Sequence, residues 1–197
     1  MNRETWPAAE RNRDVILQAL SPALPERGHF VEVGSGTGQH CAWFADALPA
    51  LTFQPTDWTD ERFDSIAAWG RPHPNMHPPL QLDASSDHWP VDSADVLYSA
   101  NVVHISPIEV LHGLLAGAGR ILGPGGLLAL YGPYLVDGKP TTESNASFDR
   151  SLKGRDPRWG LRDRADVTAR AADLGLLPEA VMDMPANNFL LLFRRSG

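Results

Sequence analysis

The sequence predicts an α/β fold, a single Rossmann-like domain with a mostly parallel seven-stranded sheet, helices on both faces and a C-terminal antiparallel hairpin. The first supporting observation is a buried strand that runs into a glycine-rich turn at residues 29–38. Apolar strands then alternate with helical segments as far as residue 131, which favours a parallel sheet covered on both sides. Two apolar runs joined by a short polar link close the chain. Its 197 residues suit one domain, residues 1–197.

The expected elements follow from hydrophobic periodicity and from turn residues. Helices are expected at residues 7–20, 39–48, 59–69, 108–122 and 163–174. Strands are expected at residues 29–33, 51–57, 80–83, 95–100, 125–131, 176–182 and 189–193. The last two strands are separated by a short polar link, so they should form the hairpin.

Composition narrows the possible functions. Seventeen basic and 24 acidic residues give a formal net charge of −7, which argues against binding to a nucleic-acid backbone. No apolar stretch approaches the roughly 18 residues of a membrane span, and residues 1–5 lack an apolar leader, so we expect a cytoplasmic protein without membrane contact. Cys41 is the only cysteine and the histidines lack metal-ligand spacing, so no metal is expected. We expect a monomer or a homodimer.

The glycine-rich turn is typical of a nucleotide-cofactor loop. Gly34, Ser35 and Gly36 follow the first strand directly, and Gln39 stands where a dinucleotide fingerprint has its third glycine. Glycines let a ligand approach the backbone, and the N–H groups of the next helix face its polar end. The sequence therefore predicts that Gly34, Ser35 and Gly36 bind a cofactor.

Glu32, on the strand just before this turn, bears on which cofactor binds. A carboxylate would repel a pyrophosphate but would attract the ammonium and sulfonium groups of S-adenosylmethionine (SAM). We therefore expect SAM, with S-adenosylhomocysteine as product. A nicotinamide cofactor and a plain strand-to-helix turn are the alternatives.

The residues that end the second and third strands should complete the cofactor site, because ligands bind beyond the carboxyl ends of parallel strands. Asp57, followed by Trp58, comes about 20 residues after the loop, the usual place of an acid that binds ribose hydroxyls. Asp83 could accept a hydrogen bond from the adenine amino group, with Leu82 and Ala84 framing the ring. For both acids, capping of a following helix is the alternative.

The segment after the fourth strand should lie beside the reacting end of the cofactor. Asn101 can offer its amide to the methionyl group. His104 is a candidate general base for a hydroxyl, amine or ring N–H acceptor. A structural histidine that shapes the Asn101 loop is the alternative.

Residues 132–161 separate the fifth strand from the next helix by far more than a usual loop, and we call them the lid segment. Such length is typical of a lid or binding loop, and a self-packed insertion with a short helix near residues 147–153 is the alternative. Expected acceptor contacts in this segment and in the final hairpin link are Tyr134, Asn145, Phe148, Asp149, Trp159 and Asn187.

Several motifs together resemble the methyltransferase-like protein twenty-six family, a class I methyltransferase family. They are Pro7–Asn12, Ser35–His40, Gln54–Asp57, Asn101–Ile105, Gly117–Arg120, Tyr131–Pro133, Ser144–Asp149, Arg155–Gly160 and Met184–Asn188. The resemblance implies a class I methyltransferase fold with SAM as cofactor. It also implies that Arg11 and Asn12, in an N-terminal helix, fold over the cofactor carboxylate.

The sequence therefore predicts a SAM-dependent methyltransferase that transfers a methyl group to a small molecule by in-line displacement. The lid segment suits an enclosed acceptor, and alignment with exclusion of water is what this chemistry needs. The alternatives are a nicotinamide-dependent oxidoreductase and a SAM-binding scaffold without turnover. A missing third glycine and the acid Glu32 weigh against the oxidoreductase.

Overall fold

The structure of the protein is a computed structural model that describes residues 3–197. Met1 and Asn2, which belong to the expected domain, lie outside the described residues. The helices are α1 (Pro7–Leu20), α2 (Gln39–Ala47), α3 (Phe63–Gly70), α4 (Ile108–Ile121), α5 (Glu143–Arg155) and α6 (Arg164–Asp173). The strands are β1 (Gly28–Val33), β2 (Leu51–Asp57), β3 (Leu80–Gln81), β4 (Ala94–Ala100), β5 (Leu122–Gly132), β6 (Leu135–Val136), β7 (Lys139–Pro140), β8 (Leu176–Met184) and β9 (Asn188–Arg195).

Seven of these strands form one sheet in the order β3-β2-β1-β4-β5-β9-β8. Strands β1 to β5 pair in parallel, whereas β9 pairs antiparallel with both β5 and β8. The chain order reverses between β1 and β4, so the carboxyl ends of these two strands flank the crevice where ligands bind in open α/β sheets. The predicted α/β fold, with its mostly parallel seven-stranded sheet and C-terminal hairpin, is confirmed.

Two apolar clusters cover the two faces of the sheet, as the alternation of side chains along each strand requires. Phe30 and Tyr98 point to the face that α1, α2 and α3 cover. Val31 and Leu97 point to the opposite face, beneath α4 and α6. Because Glu32 alternates in step with Phe30, its carboxylate enters the α2 side of the sheet just below the crevice.

The largest boundary differences from expectation lie in β3, α3 and β5. The third strand ends at Gln81, so Asp83 follows it and does not end it. The third helix begins at Phe63 and not near residue 59, because residues 58–62 form bends and turns after β2. The fifth strand begins at Leu122, directly after α4, and its pairing with β4 shifts register between Ala94 and Val96. The expected turn at residues 123–124 is thus absorbed into an irregular strand start.

The lid segment is largely regular structure. It contains the small β6-β7 hairpin and then α5, which starts from the N-cap Thr142, whose side chain accepts a hydrogen bond from the backbone N–H of Asn145. This helix is longer than the one expected near residues 147–153. The segment therefore has the character of the self-packed alternative, an ordered insertion that packs over the edge of the sheet.

Candidate cofactor and acceptor site

The glycine loop, residues 34–38, joins β1 to α2. Its backbone lies close to the side chains of Val102 and Trp6. Gly34 has φ +77°, and a Cβ there would lie 2.2 Å from Cγ2 of Val102. Gly36 has φ +55°, and a Cβ there would lie 2.7 Å from the indole of Trp6. Residues other than glycine rarely adopt such φ values. Both positions therefore require glycine for its backbone conformation as well as for the lack of space.

Glu32 presents a buried and unsatisfied carboxylate beneath this loop. Its residue is 2% exposed, and its Oε2 has no hydrogen-bond partner. The hydroxyl of Ser35, also buried, lies beside this carboxylate and contacts no other polar group. Burial raises the pKa of Glu32 to about 7, against a partial lowering by the neighbouring Ser35 hydroxyl. Unpaired buried polar atoms are costly, which makes this a place where a ligand cation and donor would be stabilised.

A polar network continues from Glu32 into α1 and the central strands. His40 Nδ1 lies 3.9 Å from Oε1 of Glu32 and 3.5 Å from the hydroxyl of Tyr98. Its Nε2 lies 2.8 Å from Oδ1 of Asn12, whose side chain also hydrogen-bonds Tyr131. Burial, with the nearby positive charge of Arg13, lowers the pKa of His40 to about 4. The imidazole is therefore neutral at pH 7, and Asn12 of α1 contacts this network directly.

Asp57 ends β2 and holds the loop by its carboxylate. Oδ2 accepts from the backbone N–H of Gly36 at 2.8 Å, and Oδ1 accepts from that of Trp58 at 2.9 Å. Burial raises the pKa of Asp57, opposed by these backbone hydrogen bonds. The N-cap of α3 is Arg62, so Asp57 does not cap that helix.

The other predicted cofactor residues differ in accessibility. Trp58 is 72% exposed. Asp83 is exposed and accepts from the backbone N–H and hydroxyl of Ser85, as in an Asx turn, and it caps no helix because the next helix is α4. Leu82 and Ala84 are buried in the cluster beneath α4.

The N-terminal segment adds Trp6 to the site and leaves Arg11 outside. The backbone N–H of Trp6 donates to the side chain of Gln39, which places the indole against Gly36, beside the guanidinium of Arg62 at 5.2 Å. Arg11 is exposed on α1 and makes no ion pair or hydrogen bond within residues 3–197. The neighbouring Asn12, and not Arg11, faces the interior.

Asn101 and His104 form a tight turn after β4. Asn101 has φ +64° and its backbone N–H donates to Tyr131, while its carbonyl accepts from the N–H of His104 at 3.0 Å. His104 is fully buried, its ring packed edge-on against Tyr134 at 4.6 Å. Burial, with the nearby charge of Arg162, lowers the pKa of His104 to about 3.

Three of the predicted acceptor residues are buried within the lid segment. Asn145 donates to the hydroxyl of Thr141 and to the carbonyl of Asn187, the latter at 2.9 Å. Asp149 accepts from the backbone N–H of Leu161 at 2.8 Å and pairs with Lys153. Tyr134 is fully buried with no partner for its hydroxyl.

The remaining predicted acceptor residues are more open. Phe148 is 38% exposed, and Trp159 is half-buried. Asn187 is exposed with φ +58°, as a turn former would be. Among these six residues, a hydrogen bond joins Asn145 to Asn187, and it connects α5 to the hairpin link between β8 and β9.

Residues 3–195 match the sequence family described as "Protein of unknown function (DUF938)". The chain belongs to the DUF938 family. Similar solved structures include an O-methyltransferase family protein from Burkholderia thailandensis, with TM-score 0.77 and 18% identity over 96% of this chain and 60% of that one. Human N-acetylserotonin methyltransferase, in complex with SAM, has TM-score 0.77 and 14% identity over 96% of this chain and 53% of that one.

The S-adenosylmethionine-dependent methyltransferase SibL, in its apo form, has TM-score 0.79 and 17% identity over 96% of this chain and 56% of that one. The DUF938 chain thus spans a little over half the length of these three proteins. At these identities the likeness establishes the fold, which is the Rossmann-like fold of class I methyltransferases.

Two clefts of the DUF938 chain lie apart from the β1-β4 crevice. One, of about 750 Å³, is bordered by α4, α6 and the β6-β7 hairpin. The other, of about 230 Å³, lies between Trp43 of α2 and Trp69 of α3. Residues 3–197 contain no cluster of three or more histidine, cysteine or acidic side chains able to hold a metal ion. Over the same residues, every helix is too short or too polar to cross a bilayer.

Sequence reasoning missed several residues that shape this site. His40 stands on the first turn of α2, and its place one residue after Gln39 was a usable signal because helix residues beside a cofactor loop face the sheet. Trp6 directly precedes Pro7, the first residue of α1. A large aromatic residue at this helix start was a usable sign that the segment packs across the glycine loop. Arg162, whose guanidinium bonds the carbonyls of Val103 and Ser106, gave no sequence signal.

Proposed function

We propose that this DUF938 protein is a SAM-dependent methyltransferase acting on a small-molecule acceptor. The observation that carries the proposal is the buried carboxylate of Glu32, with Oε2 unsatisfied, beside the buried hydroxyl of Ser35 and directly beneath a glycine loop at the β1-β4 crevice. A ligand that brings an ammonium and hydrogen-bonding groups would satisfy both. The methionyl group of SAM has this chemistry, and pyrophosphate has the opposite charge.

The proposed roles follow from position along the sheet. Glu32 binds the ammonium, and the backbone of Gly34, Ser35 and Gly36 faces the methionyl group. Asp57 accepts from ribose hydroxyls with the lone pairs that remain beyond its two backbone bonds. The adenine lies against Leu82, Asp83 and Ala84, and Trp58 covers its exposed side. Asn101 faces the methionyl group. Arg11 would have to move inward to reach the carboxylate of the methionyl group. Asn12 is therefore the residue of α1 that is better placed to contact it.

Bound SAM would supply an electrophilic methyl group on a sulfonium. The protein has to align the acceptor with that methyl and exclude water. The lid segment suits this task because α5 is pinned to the hairpin link through Asn145 and closes over the edge of the sheet. The acceptor contacts predicted from sequence remain Tyr134, Asn145, Phe148, Asp149, Trp159 and Asn187.

A small acceptor agrees with the net charge of −7, since the chain has no surplus of cations for a nucleic-acid backbone. The resemblance to the methyltransferase-like protein twenty-six family, and the SAM complex of the human structural neighbour, also support this proposal. A cytoplasmic location and a monomer or homodimer remain part of it.

Isothermal titration with SAM and with S-adenosylhomocysteine tests the cofactor. We expect binding to both, and Glu32→Ala should abolish most of it while Glu179→Ala, a distant surface acid, leaves it unchanged. Absence of binding at millimolar cofactor would overturn the proposal. Stronger fluorescence quenching by NADH than by S-adenosylhomocysteine would favour the oxidoreductase.

A second candidate is a SAM-binding protein without turnover. It is favoured by the burial of Tyr134, Asn145 and Asp149, two of which are already engaged in hydrogen bonds within the fold. A screen of phenols, amines, thiols and small acids with methyl-labelled SAM separates the two. Label transfer to any class supports the enzyme, and binding with no transfer to any class supports the second candidate.

A further inference from the structure

The imidazole of His104 is held in one tautomer. The backbone N–H of Arg162 donates to Nδ1 at 3.3 Å, so Nδ1 carries a lone pair and the neutral ring carries its proton on Nε2. The edge-on contact with Tyr134 fixes the ring plane, and the backbone N–H of Gly160 donates to the carbonyl of His104 at 3.0 Å. Nε2–H is therefore a donor with a set direction.

This donor is buried without a partner and lies close to the Asn101 side chain. His104 has no exposed surface, and its Nε2 makes no hydrogen bond. A Cβ built on Gly132 would lie 2.5 Å from Nε2 and 3.3 Å from Oδ1 of Asn101, so both atoms border the same small space beside the Gly132 Cα. Asn101 is only half-buried. The bond proposed below therefore requires its side chain to rotate so that Oδ1 meets the donor.

We propose that His104 is a positioning residue whose Nε2–H holds Oδ1 of Asn101 and so turns the Asn101 amide NH₂ toward the carboxylate of the methionyl group. This inference rests on the proposed function, because it assumes SAM in the crevice. An amide can present either its oxygen or its nitrogen to a ligand, and a fixed donor behind it decides which. Glu32 then receives the ammonium and Asn101 the carboxylate.

The same geometry argues against the general base that the sequence suggested. A base at Nε2 needs a lone pair there, and protonation of Nδ1 would remove the bond from Arg162. The full burial of the ring, which lowers its pKa, points the same way. His104 thus matches the structural alternative, with a directional role added.

The first experiment measures S-adenosylhomocysteine affinity by titration calorimetry in His104→Gln and His104→Leu. Gln keeps an amide donor and should bind within about threefold of wild type, whereas Leu has none and should bind about tenfold more weakly, as expected for one hydrogen bond. Equal affinities for Leu and wild type would overturn the proposal. Loss of affinity in Gln as large as in Leu would also overturn it.

A second pair of variants tests the orientation of the amide, with thermal melting run alongside because φ +64° at this position strains alanine more than aspartate. Asn101→Asp keeps the oxygen that accepts from His104 but removes the outward donor, so it should bind at least as weakly as Asn101→Ala. Retained or improved affinity in Asn101→Asp would mean that the oxygen faces the ligand, and the inference would fail. If wild type itself binds no cofactor, the proposed function fails instead.

A readout without cofactor is available from nuclear magnetic resonance. Long-range ¹H–¹⁵N spectra should show His104 protonated on Nε2 only, with no titration between pH 5 and pH 8. Protonation on Nδ1 would overturn the tautomer assignment, and titration near pH 6.5 would contradict the burial of the ring on which the proposal depends. In the active enzyme, His104→Gln should keep the wild-type pH profile of kcat, whereas a general base would change it.

Discussion

The cofactor side of the crevice, at the carboxyl ends of β1 and β2, and the lid side, formed by the lid segment and the His104 turn, use polar residues differently. On the cofactor side Glu32 and Ser35 are buried with unsatisfied atoms. On the lid side, Asn145, Asp149 and Arg162 use their polar side-chain atoms in hydrogen bonds that hold the fold together, and the unsatisfied atoms there are Tyr134 Oη and His104 Nε2. A buried atom without a partner is available to a ligand, whereas a hydrogen-bonded one already holds the fold together.

This difference teaches how to interpret a polar residue at the edge of a sheet. A residue type alone gives its chemistry, but the partners around it decide whether that chemistry is available to a ligand. Asp57 lies between the two cases, because its oxygens already hold the N–H groups of Gly36 and Trp58 yet remain half-exposed. It both builds the loop and faces the crevice.

The largest expected effect is a loss of stability caused by a substitution in the glycine loop. Gly34→Ala should lower the free energy of unfolding by about 2 to 4 kcal/mol, because φ +77° is strained for alanine and its Cβ would overlap Val102. Gly123→Ala is the control, since nothing lies within 4 Å of its Cβ position. Urea denaturation measures both, and equal stabilities of the two variants would contradict the loop geometry.

Next, the burial cost of Glu32 should appear as a pH dependence of stability. A folded pKa near 7 against 4.5 means that the folded state binds the extra proton, so wild-type stability falls as pH rises from about 4.5 to 7. Glu32→Gln has no carboxyl group to ionise. At pH 8 its free energy of unfolding should therefore exceed that of the wild type by roughly 2 to 3 kcal/mol. Denaturation at pH 4, 6 and 8 measures it, and a difference independent of pH would refute the burial argument.

Asp57 should show its two functions separately. Asp57→Ala should weaken SAM binding by about 1 to 3 kcal/mol, the range for a hydrogen bond to a charged group. Asp57→Asn keeps one oxygen acceptor and should lose less. Calorimetric titration and thermal melting are run together, since unchanged affinity with a lowered melting temperature would assign Asp57 to loop construction alone.

On the lid side, Asp149→Ala should destabilise the lid by about 1 to 2 kcal/mol, because the N–H of Leu161 loses its buried acceptor. Arg150→Ala is the control: its pair with Glu143 is exposed and should contribute less than about 0.5 kcal/mol. Limited proteolysis should cut the lid segment faster in Asp149→Ala only. Equal cleavage of both variants would remove Asp149 from the construction of the lid.

The sheet and its glycine loop were predictable from sequence because their signals are local. Val31 and Val33 alternate with Phe30 and Glu32 in a buried strand, and the glycines that follow can only be explained by a tight turn. The lid segment was less predictable. Its helix α5 carries few apolar residues, so hydrophobic periodicity was weak, and only its N-cap Thr142 marks the start.

The amino-acid sequence by itself determined the strand and helix order, the α/β class and the place of the crevice, since all depend on spacing along the chain. Only the tertiary structure decided which polar groups are left unsatisfied. The sequence places His104 three residues after Asn101. Which ring nitrogen of His104 carries the proton, however, depends on the N–H of Arg162, 58 residues away. Hydrogen-bond partners are assigned by packing, so burial and direction, which give a side chain its role, emerge only when the chain has folded.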